Sequence, residues 1–369
     1  MIQLLYAVFV AAASYQVLAF IACVRHILGH APTASRFPGV SILKPVRGAD
    51  ADFYDAIRSH AAQDYPDFEM LFGVSNPADP AIPHIERLAN EFPQLAIRLI
   101  RSTTPAPNGK VGVLIDLARE ARNPLLVVND GDIRVPPAYL QEIVAPLANG
   151  TAGLVTCIYS ARAHSFPARF EALGIVTDFA PSALVAPMVG VNEFGMGSTL
   201  AFEAATLRQM GGFESVADYI ADDYQIGKNI SRLGKKVTLA HVTVETHLHG
   251  ASWSEVWRHQ IRWARTIRVS RPGGYAGLPI ANASLWALVA ACFGLWWWTA
   301  ALLALRYAVG LLAAARVLHS SDATQLIVLA PVRDVWGFAV WLAALAGNTV
   351  EWGGQSLTLD REGRIRTNT

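Results

Sequence analysis

The sequence has little charge and few cysteines. Of its 369 residues, 16% are charged, whereas soluble domains usually carry about a quarter. Thirty basic and twenty-nine acidic side chains leave a net charge of +1, which excludes a nucleic-acid binder that depends on bulk electrostatics. Cys23, Cys157 and Cys292 stand far apart, which excludes a disulfide scaffold and a cysteine zinc site. The phosphate-loop patterns GxGxxG and GxxxxGK[ST] are also missing, and this disfavours a nicotinamide or ATP enzyme.

Apolar side chains are abundant instead, at 53% of the chain. Residues 1–24 contain no charged side chain, and this length can cross a hydrocarbon core of about 30 Å. No positive charge precedes the apolar run, so the pattern favours an anchor over a cleaved signal peptide. Because Arg25, His26 and Arg36 follow directly, the positive-inside rule places the far end of this helix in the cytoplasm. We predict an uncleaved transmembrane anchor over residues 1–25.

A second apolar region covers residues 276–350. Its first block runs to residue 318 with a Trp triplet at 296–298, and either one long tilted helix or a tight hairpin fits it. Its second block is interrupted by Arg333 and Asp334. Because charges at membrane depth are costly, we interpret this pair as a bend or a helix end. The chain then has roughly two to four membrane crossings, with a cytoplasmic tail over residues 351–369.

The middle of the chain, residues 37–250, has the pattern of an α/β domain. Short apolar runs alternate there with helical patterns. The predicted strands cover 40–43, 70–74, 96–100 and 125–129, and the predicted helices cover 51–62, 80–91 and 110–121. This alternation indicates βαβ units and a mostly parallel sheet. Ligands of such sheets bind at the carboxyl ends of the strands.

Two carboxylates follow one of these strands. Asp130 and Asp132 are separated by one glycine and come directly after an apolar run. A DxD pair at a strand end can hold Mg²⁺ or Mn²⁺ together with diphosphate oxygens, and the metal would neutralise charge on a diphosphate leaving group. An ordinary acidic turn is the alternative, since Asp-Gly is a common turn dipeptide.

A second acidic pair, Asp222 and Asp223, opens a predicted helix. Aspartates are common in the first turn of a helix because they cap it and complement its dipole. A functional interpretation makes Asp223 a general base that takes the proton of an attacking hydroxyl.

A third pattern lies in residues 251–270, directly before the second apolar region. On a helix, Arg258, Arg262 and Arg265 share one face, and an apolar face adjoins it. An amphipathic helix in the membrane interface explains this arrangement. Arg262 could also reach a phosphate with its planar set of donors, and the two interpretations are compatible.

Taken together, these segments resemble glycosyltransferase family 21, the ceramide glucosyltransferase group, and its bacterial hopanoid-associated relatives. The resemblance covers nearly the whole chain, and the order and spacing of its motifs are specific although each motif alone is weak. The matching segments are Leu43-Lys-Pro-Val-Arg-Gly48, Asp64-Tyr-Pro66, Asp79-Pro-Ala-Ile82, Asp130-Gly-Asp-Ile-Arg-Val135, Ala221-Asp-Asp-Tyr224 and Arg262-Trp263. The resemblance implies an α/β fold of the GT-A type, flanked by N- and C-terminal transmembrane helices.

The resemblance also implies a role for each matching residue. Asp79 corresponds to an aspartate near the nucleotide, and Asp130 with Asp132 to the metal ligands. Asp223 corresponds to the base. The remaining matches are Arg262 and Trp263, near the diphosphate and the acceptor entrance, and Lys44 and Lys110, in donor-pocket segments.

This sequence departs from the family pattern at two positions. His259 stands where the last motif usually begins with Gln or Arg, and Val113 stands where the second donor segment tends to have Asn. We treat His259 as an acceptor-side candidate. Gly197 and Ser198 are further acceptor-side candidates, because a glycine-rich turn can let a headgroup approach the backbone; a simple tight turn is the alternative.

The activity implied is an inverting transfer of glucose, or N-acetylglucosamine, from a UDP-sugar to a lipid hydroxyl with Mg²⁺ or Mn²⁺. Ceramide is the preferred acceptor, giving β-glucosylceramide, and a hopanoid polyol receiving N-acetylglucosamine is the alternative. A polysaccharide synthase needs more membrane helices for a polymer channel. A non-catalytic lipid-binding scaffold is disfavoured because all three aspartates of the pattern and the Arg-Trp pair are present. We expect an integral protein of a bacterial inner membrane whose catalytic domain faces the cytoplasm and which binds no nucleic acid, with its oligomeric state left open.

Overall fold

The computed structural model describes residues 2–248 and 252–366. The strands are β1 (Val40–Pro45), β2 (Phe68–Val74), β3 (Ala96–Arg101), β4 (Leu125–Val128), β5 (Leu154–Thr156), β6 (Tyr159–Ala163), β7 (Leu200–Glu203), β8 (Val237–Leu239), β9 (Val244–Leu248), β10 (Thr349–Trp352), β11 (Gln355–Leu359) and β12 (Ile365–Arg366). The α-helices are α1 (Ile2–Leu28), α2 (Phe53–Ala61), α3 (Ile82–Glu91), α4 (Gly109–Glu120), α5 (Tyr139–Ala148), α6 (Phe166–Gly174), α7 (Ala180–Val185), α8 (Ala204–Gln209), α9 (Asp222–Arg232), α10 (Trp253–Ser270), α11 (Pro272–Gly277), α12 (Ala283–Cys292), α13 (Trp296–Leu312), α14 (Ser321–Leu326) and α15 (Ala330–Ala344).

The described chain divides into two compact units. Residues 30–159, 191–247 and 364–366 form a sheet unit, and residues 2–29, 160–190, 248 and 252–363 form a helical unit. Each unit is therefore assembled from segments that are distant in the sequence.

The sheet unit contains a seven-stranded sheet in the order β3-β2-β1-β4-β7-β5-β8. Strand β1 lies between β2 and β4 and is parallel to both, so that Val40 is paired with Phe68 on one side and Leu125 on the other. Strand β7 is antiparallel to its neighbours β4 and β5. The predicted mostly parallel sheet and its alternating helices are confirmed.

Helices cover both faces of this sheet. Successive side chains of a strand point to opposite faces, and apolar side chains on each face pack against a different set of helices. Ile42 packs with α2, α3 and α5 in one apolar core. Leu43, the next residue, packs with α4 and α9 in a second core. Strands buried on both faces have the near-continuous apolar sequence expected of a parallel sheet.

The helical unit contains four helical segments long and apolar enough to cross a membrane, or five if one pair bent by 57° counts as a single span. The four segments are Ile2–Leu28, Phe166–Val189, Trp296–Val317 and Ser321–Ala344, and the bent pair is Pro272–Ala281 with Ala283–Cys292. The first of these coincides with the predicted anchor helix. In the block over 276–318, the hairpin alternative is correct, because the chain turns between α12 and α13.

The segment Phe166–Val189 was not expected from the sequence. It is a continuous helical path that includes a π-helical turn at Ile175–Phe179. Its sequence contains Arg169, Glu171 and Asp178 as well as prolines, and these residues hid its apolar character.

Arg333 and Asp334 lie near the start of α15, directly after a 3-10 turn at Ile327–Leu329, which agrees with their interpretation as a helix end. The apolar segment Ser321–Ala344 nevertheless continues past them, and Asp334 is fully buried. Its carboxylate contacts the guanidinium of Arg306, which also contacts Asp178 Oδ1 at 2.5 Å and donates to the backbone oxygen of Thr177 at 2.7 Å. Charges within apolar helices are usually compensated by such pairing.

Helix α10 packs against the last apolar helix. Trp257 and Ile261 pack in an apolar cluster with Tyr275 of α11 and with α15 residues, among them Val340. The predicted amphipathic pattern is thus used for packing inside the helical unit. Placement of this helix at a membrane surface stays a prediction.

The buried charge cluster gives a stability prediction. Asp334→Leu leaves Arg306 without its most deeply buried counter-charge, and loss of one partner of a buried pair costs about 3–5 kcal/mol. We expect a lower thermal unfolding midpoint in a fixed detergent. The double variant Arg306→Met/Asp334→Leu removes both charges and should recover at least half of the lost midpoint. A double variant no more stable than Asp334→Leu would contradict this account.

Candidate active site

The ammonium group of Lys110 joins two acidic motifs of the sheet unit. Asn108 caps the start of α4 by accepting a hydrogen bond from Val111 N, which fixes the first turn that carries Lys110. Lys110 Nζ lies 2.7 Å from Asp130 Oδ1 and 3.4 Å from Asp222 Oδ2. Burial lowers the pKa of Lys110, but the surrounding aspartates outweigh this effect and raise it. The side chain is therefore a fixed positive charge.

Gly197 connects Asp130 to Asp223. The backbone N–H of Asp130 donates to the oxygen of Gly197 at 3.0 Å, and the N–H of Gly197 donates to Asp223 Oδ2 at 2.8 Å. A Cβ on Gly197 would lie 2.6 Å from Asp130 Oδ2. The glycine-rich turn thus brings its backbone against two of the predicted site residues, and a side chain at position 197 would displace a carboxylate.

Asp223 has the electrostatic surroundings of a base. Its Oδ1 accepts a hydrogen bond from Tyr224 N at 2.7 Å, in the first turn of α9. Burial and the neighbouring charge of Asp222 raise the pKa of Asp223 to about 6, although Lys110 opposes this shift. A carboxylate with this pKa is ionised at neutral pH and accepts a proton more readily than an ordinary aspartate.

Asp132 lies in the same turn as Asp130, and both residues are partly buried. Thr246 of β9 donates its hydroxyl hydrogen bond to Asp132 Oδ2. Burial and the charge of Asp130 raise the pKa of Asp132. The turn is further held by the paired backbones of Arg134 and Glu245, whose N–H groups donate to each other's oxygens at 2.8 and 2.9 Å.

Lys44 is placed beneath this turn rather than on an open surface. The side chain is fully buried, and Nζ donates to the backbone oxygen of Asp130 at 3.0 Å. His60 Nε2 lies 3.5 Å from Nζ, while His60 Nδ1 donates to the oxygen of Ala56. Burial lowers the pKa of Lys44 to about 7, against the charges of Asp132 and Asp130. In this position Lys44 supports the turn that carries Asp130 and Asp132.

Asp79 is occupied by backbone donors. Gly48 N donates to both carboxylate oxygens at 3.1 and 3.0 Å, and Ala81 N donates to Oδ1 at 2.9 Å. Gly48 has a φ of +78°, a conformation that favours glycine. Asp79 therefore fixes the loop after β1.

The structure does not bring all the predicted residues together in one unit. His259, Arg262 and Trp263 lie on α10 in the helical unit. Ser198 is buried and donates to the oxygen of Cys157 at 2.8 Å, so its hydroxyl supports the turn. Val113 is buried in the core of the sheet unit.

The acidic pair fits a divalent cation. Carboxylate oxygens are the ligands that Mg²⁺ and Mn²⁺ prefer, and a cation would relieve the repulsion that raises the pKa of Asp132. Among the described residues, no group of three or more His, Cys, Asp or Glu side chains forms a complete metal cage.

Two supporting residues escaped the sequence analysis. Asn108 Nδ2 donates to the oxygen of Tyr219 at 2.8 Å and lies 3.3 Å from Asp222 Oδ1. Its signal was available, since Asn before Gly-Lys is a typical helix cap. Thr246 had no such signal, because its contact with Asp132 joins residues 114 positions apart.

A segment near the end of the chain joins the loop before Asp222. Ile365 N donates to the oxygen of Asp218 at 2.7 Å, and Arg364 Nε donates to the hydroxyl of Tyr219 at 3.2 Å. The guanidinium of Arg364 also lies 3.5 Å from Asp218 Oδ2. The predicted polar tail therefore contributes to the sheet unit.

Comparisons with known proteins agree with these features. The sequence model of glycosyl transferase family 21 matches residues 4–365. Ceramide glucosyltransferase 1 of Caenorhabditis elegans is 30% identical over 207 residues, covering 55% of this chain and 44% of that protein. Ceramide glucosyltransferase 3 of the same organism is 27% identical over 235 residues, covering 63% and 51%. The chain thus spans about half the length of these curated relatives.

A solved structure shows the same fold. The mannosyltransferase PcManGT from Pyrobaculum calidifontis, in complex with GDP-Man and Mn²⁺, superposes with a TM-score of 0.59 at 21% identity. The alignment covers 92% of this chain and 96% of that one. The expected GT-A type fold with flanking apolar helices is confirmed.

The close approach of Gly197 to Asp130 predicts a local defect. Gly197→Ala should displace the Asp130 carboxylate and weaken Mn²⁺ binding by about tenfold or more. Electron paramagnetic resonance of Mn²⁺ measures the affinity, and thermal unfolding checks that the fold is retained. Gly131→Ala is the matched control, because a Cβ there lies 3.9 Å from its nearest neighbour, Phe53. Equal Mn²⁺ affinities in the two variants would contradict the prediction.

Proposed function

The chain belongs to glycosyl transferase family 21, and we propose that it is a membrane-bound transferase that moves glucose from UDP-glucose to the primary hydroxyl of ceramide. The observation that carries this proposal is the contact of Lys110 with both Asp130 and Asp222, beside the hydrogen bond from Gly197 to Asp223. Ceramide is preferred as acceptor because the matching relatives are ceramide glucosyltransferases. The four helical segments that are long and apolar enough to cross a membrane also favour an acceptor that resides in the bilayer.

The proposed reaction is a single displacement with inversion. Asp223 takes the proton of the acceptor hydroxyl, the hydroxyl oxygen bonds to the sugar's anomeric carbon, and the bond from that carbon to the diphosphate breaks. The raised pKa of Asp223 suits this step, and the two backbone N–H donors orient its carboxylate. UDP leaves, and the α-linked donor gives a β-glycoside.

The remaining site residues stabilise charge on the leaving diphosphate or hold the loops of the site in position. Asp130 and Asp132 would hold Mg²⁺ or Mn²⁺, which supplies positive charge to the leaving diphosphate when bound. Lys110 fixes Asp130 and Asp222, Asp79 fixes the loop after β1, and Lys44 supports the Asp130 turn. Catalysis of this kind consists mainly of positioning and charge stabilisation.

We retain Arg262 as a partner of the diphosphate and Trp263 as part of the acceptor side. Both roles come from the matching motif. We also propose that the sheet unit faces the cytoplasm, because nucleotide sugars are made there and because Arg25 and His26 lie in the last turn of the first apolar helix. A bacterial inner membrane is the proposed location.

The donor and acceptor are tested by the mass of the product. The purified full-length chain, with Mn²⁺ or Mg²⁺, is incubated with UDP-glucose or UDP-N-acetylglucosamine and with ceramide or a hopanoid polyol. We expect hexosylated ceramide by liquid chromatography and mass spectrometry. An N-acetylhexosaminyl hopanoid would reassign both substrates. Sugar transfer to neither lipid would refute the proposed acceptors.

The role of Asp223 predicts a pH dependence. The base must be ionised, and its pKa is raised to about 6, so kcat should fall as the pH drops through about 6 and level off above it. Asp223→Asn should lower kcat by about 10²-fold or more without loss of UDP-glucose binding. Asp218→Asn, on the loop that precedes α9 and with a half-exposed side chain, is the control and should retain kcat. Normal turnover by Asp223→Asn would show that another group is the base.

A further inference from the structure

A buried carboxylate in the helical unit is held against the last sequence motif. Glu171 of α6 is 3% exposed, and its Oε1 lies 2.6 Å from His259 Nδ1 of α10. Because an ionised carboxylate can only accept hydrogen bonds, the ring donates from Nδ1. In the neutral ring, this tautomer leaves Nε2 as a hydrogen-bond acceptor.

The contact continues from His259 to Trp263. Their ring centroids lie 4.4 Å apart with an interplanar angle of 54°, as expected for residues four positions apart on a helix. Glu171 therefore sets the orientation of a ring that packs directly on the tryptophan of the motif.

Other contacts already fix the rotation of α10. Trp257 packs on Trp336 with ring centroids 5.2 Å apart, and Trp336 Nε1 donates to Gln260 Oε1 at 2.8 Å. Nearer the end of α10, Arg265 and Arg268 donate to backbone oxygens that follow α15. Because the helix is fixed, His259 can change its orientation only by rotation of its side chain. The hydrogen bond to Glu171 restricts this rotation.

Packing alone does not require a carboxylate at position 171. The neighbouring Phe170 already joins α6 to Trp253 and Trp336, at centroid distances of 5.4 and 5.8 Å. Burying a charged group is costly, and a well-packed apolar residue often stabilises as well or better. The charge at Glu171 therefore points to a role beyond holding the helices together.

We propose that Glu171 is a positioning residue for the lipid acceptor: it orients His259 so that Nε2 accepts a hydrogen bond from a hydroxyl of the lipid headgroup beside the ring of Trp263. This inference rests on the proposed function, since it concerns the acceptor of that reaction. A hydroxylated lipid headgroup suits the position, because Glu171 lies in the apolar helix Phe166–Val189 while His259 and Trp263 lie on the amphipathic helix α10.

Two substitutions at position 259 separate positioning from packing. Asn places its amide N–H where Nδ1–H lies, so His259→Asn keeps the bond to Glu171 but loses the acceptor at Nε2. Gln places its amide oxygen near Nε2, so His259→Gln keeps an acceptor without the bond to Glu171. We expect His259→Asn to raise the KM for ceramide by about tenfold, the effect of one hydrogen bond to a charged or buried group, and His259→Gln to raise it less. A purely structural role predicts the opposite order.

Glu171→Gln tests the carboxylate itself. A glutamine amide can donate or accept, so it no longer selects one tautomer of His259. The KM for ceramide should rise, the KM for UDP-glucose should stay unchanged, and the substitution should have no further effect in a His259→Ala background. Asp322→Asn is the control, because it removes the ion pair of Arg169 on the same helix α6. An equal effect of Glu171→Gln with and without His259 would overturn the proposal.

A second readout does not depend on turnover. Nitrogen-15 spectra of histidine-labelled protein, with the His259 signal assigned by its loss in His259→Asn, distinguish the two tautomers. We expect the Nδ1-protonated form in the unmodified chain and its loss in Glu171→Gln. An Nε2-protonated ring in the unmodified chain would overturn the inference. Absence of lipid glycosylation by the unmodified chain would instead refute the proposed function and leave the spectra to decide the pairing.

Discussion

The candidate active site depends on one ammonium group. Lys110 lies between Asp130 and Asp222, and without it these carboxylates and Asp223 would form a cluster of like charges. Each charged side chain lies at the end of its element: Lys110 in the first turn of α4, Asp130 in the turn after β4, and Asp222 with Asp223 in the first turn of α9. The parallel sheet places such ends at one edge, and the ion pairs then fix the distances between the acidic side chains.

The helical unit also contains buried charges, and there one guanidinium is paired with two carboxylates. Arg306 is enclosed with Asp178 and Asp334, so its positive charge is balanced by carboxylates from two other apolar helices. In the sheet unit, by contrast, Asp223 accepts hydrogen bonds from two backbone N–H groups and its pKa is raised to about 6. Buried charges therefore support the fold in one unit and the proposed chemistry in the other.

Much of the fold could be predicted from sequence because local patterns determine it. The strands β1 to β4 and their helices follow from alternating apolar runs, and α10 begins at a capping box formed by Ser252 and Glu255. The apolar helix Phe166–Val189 could not be found this way, since its charges are compensated by residues far along the chain. For the same reason the buried ion pair of Asp334 could not be predicted, because its partner Arg306 lies 28 positions earlier. The sequence motif around Lys44 indicated a donor-binding residue. The full burial of its side chain could not be predicted, because it depends on the folded structure.

The strand near the end of the chain has a consequence for biosynthesis. The backbone N–H of Ile365 donates to Asp218, and the guanidinium of Arg364 contacts the side chains of Asp218 and Tyr219. These two residues lie in the loop that leads to α9. Within the described residues, every helix long and apolar enough to cross a membrane precedes Arg364 and Ile365 in the order of synthesis. Domains generally fold as they emerge from the ribosome, N-terminal parts first, yet this loop receives its contacts with Arg364 and Ile365 only after those helices have been translated. A ribosome stalled before residue 364 would carry a nascent protein that has Asp130, Asp132 and Asp223 but lacks the contacts that hold the loop before α9.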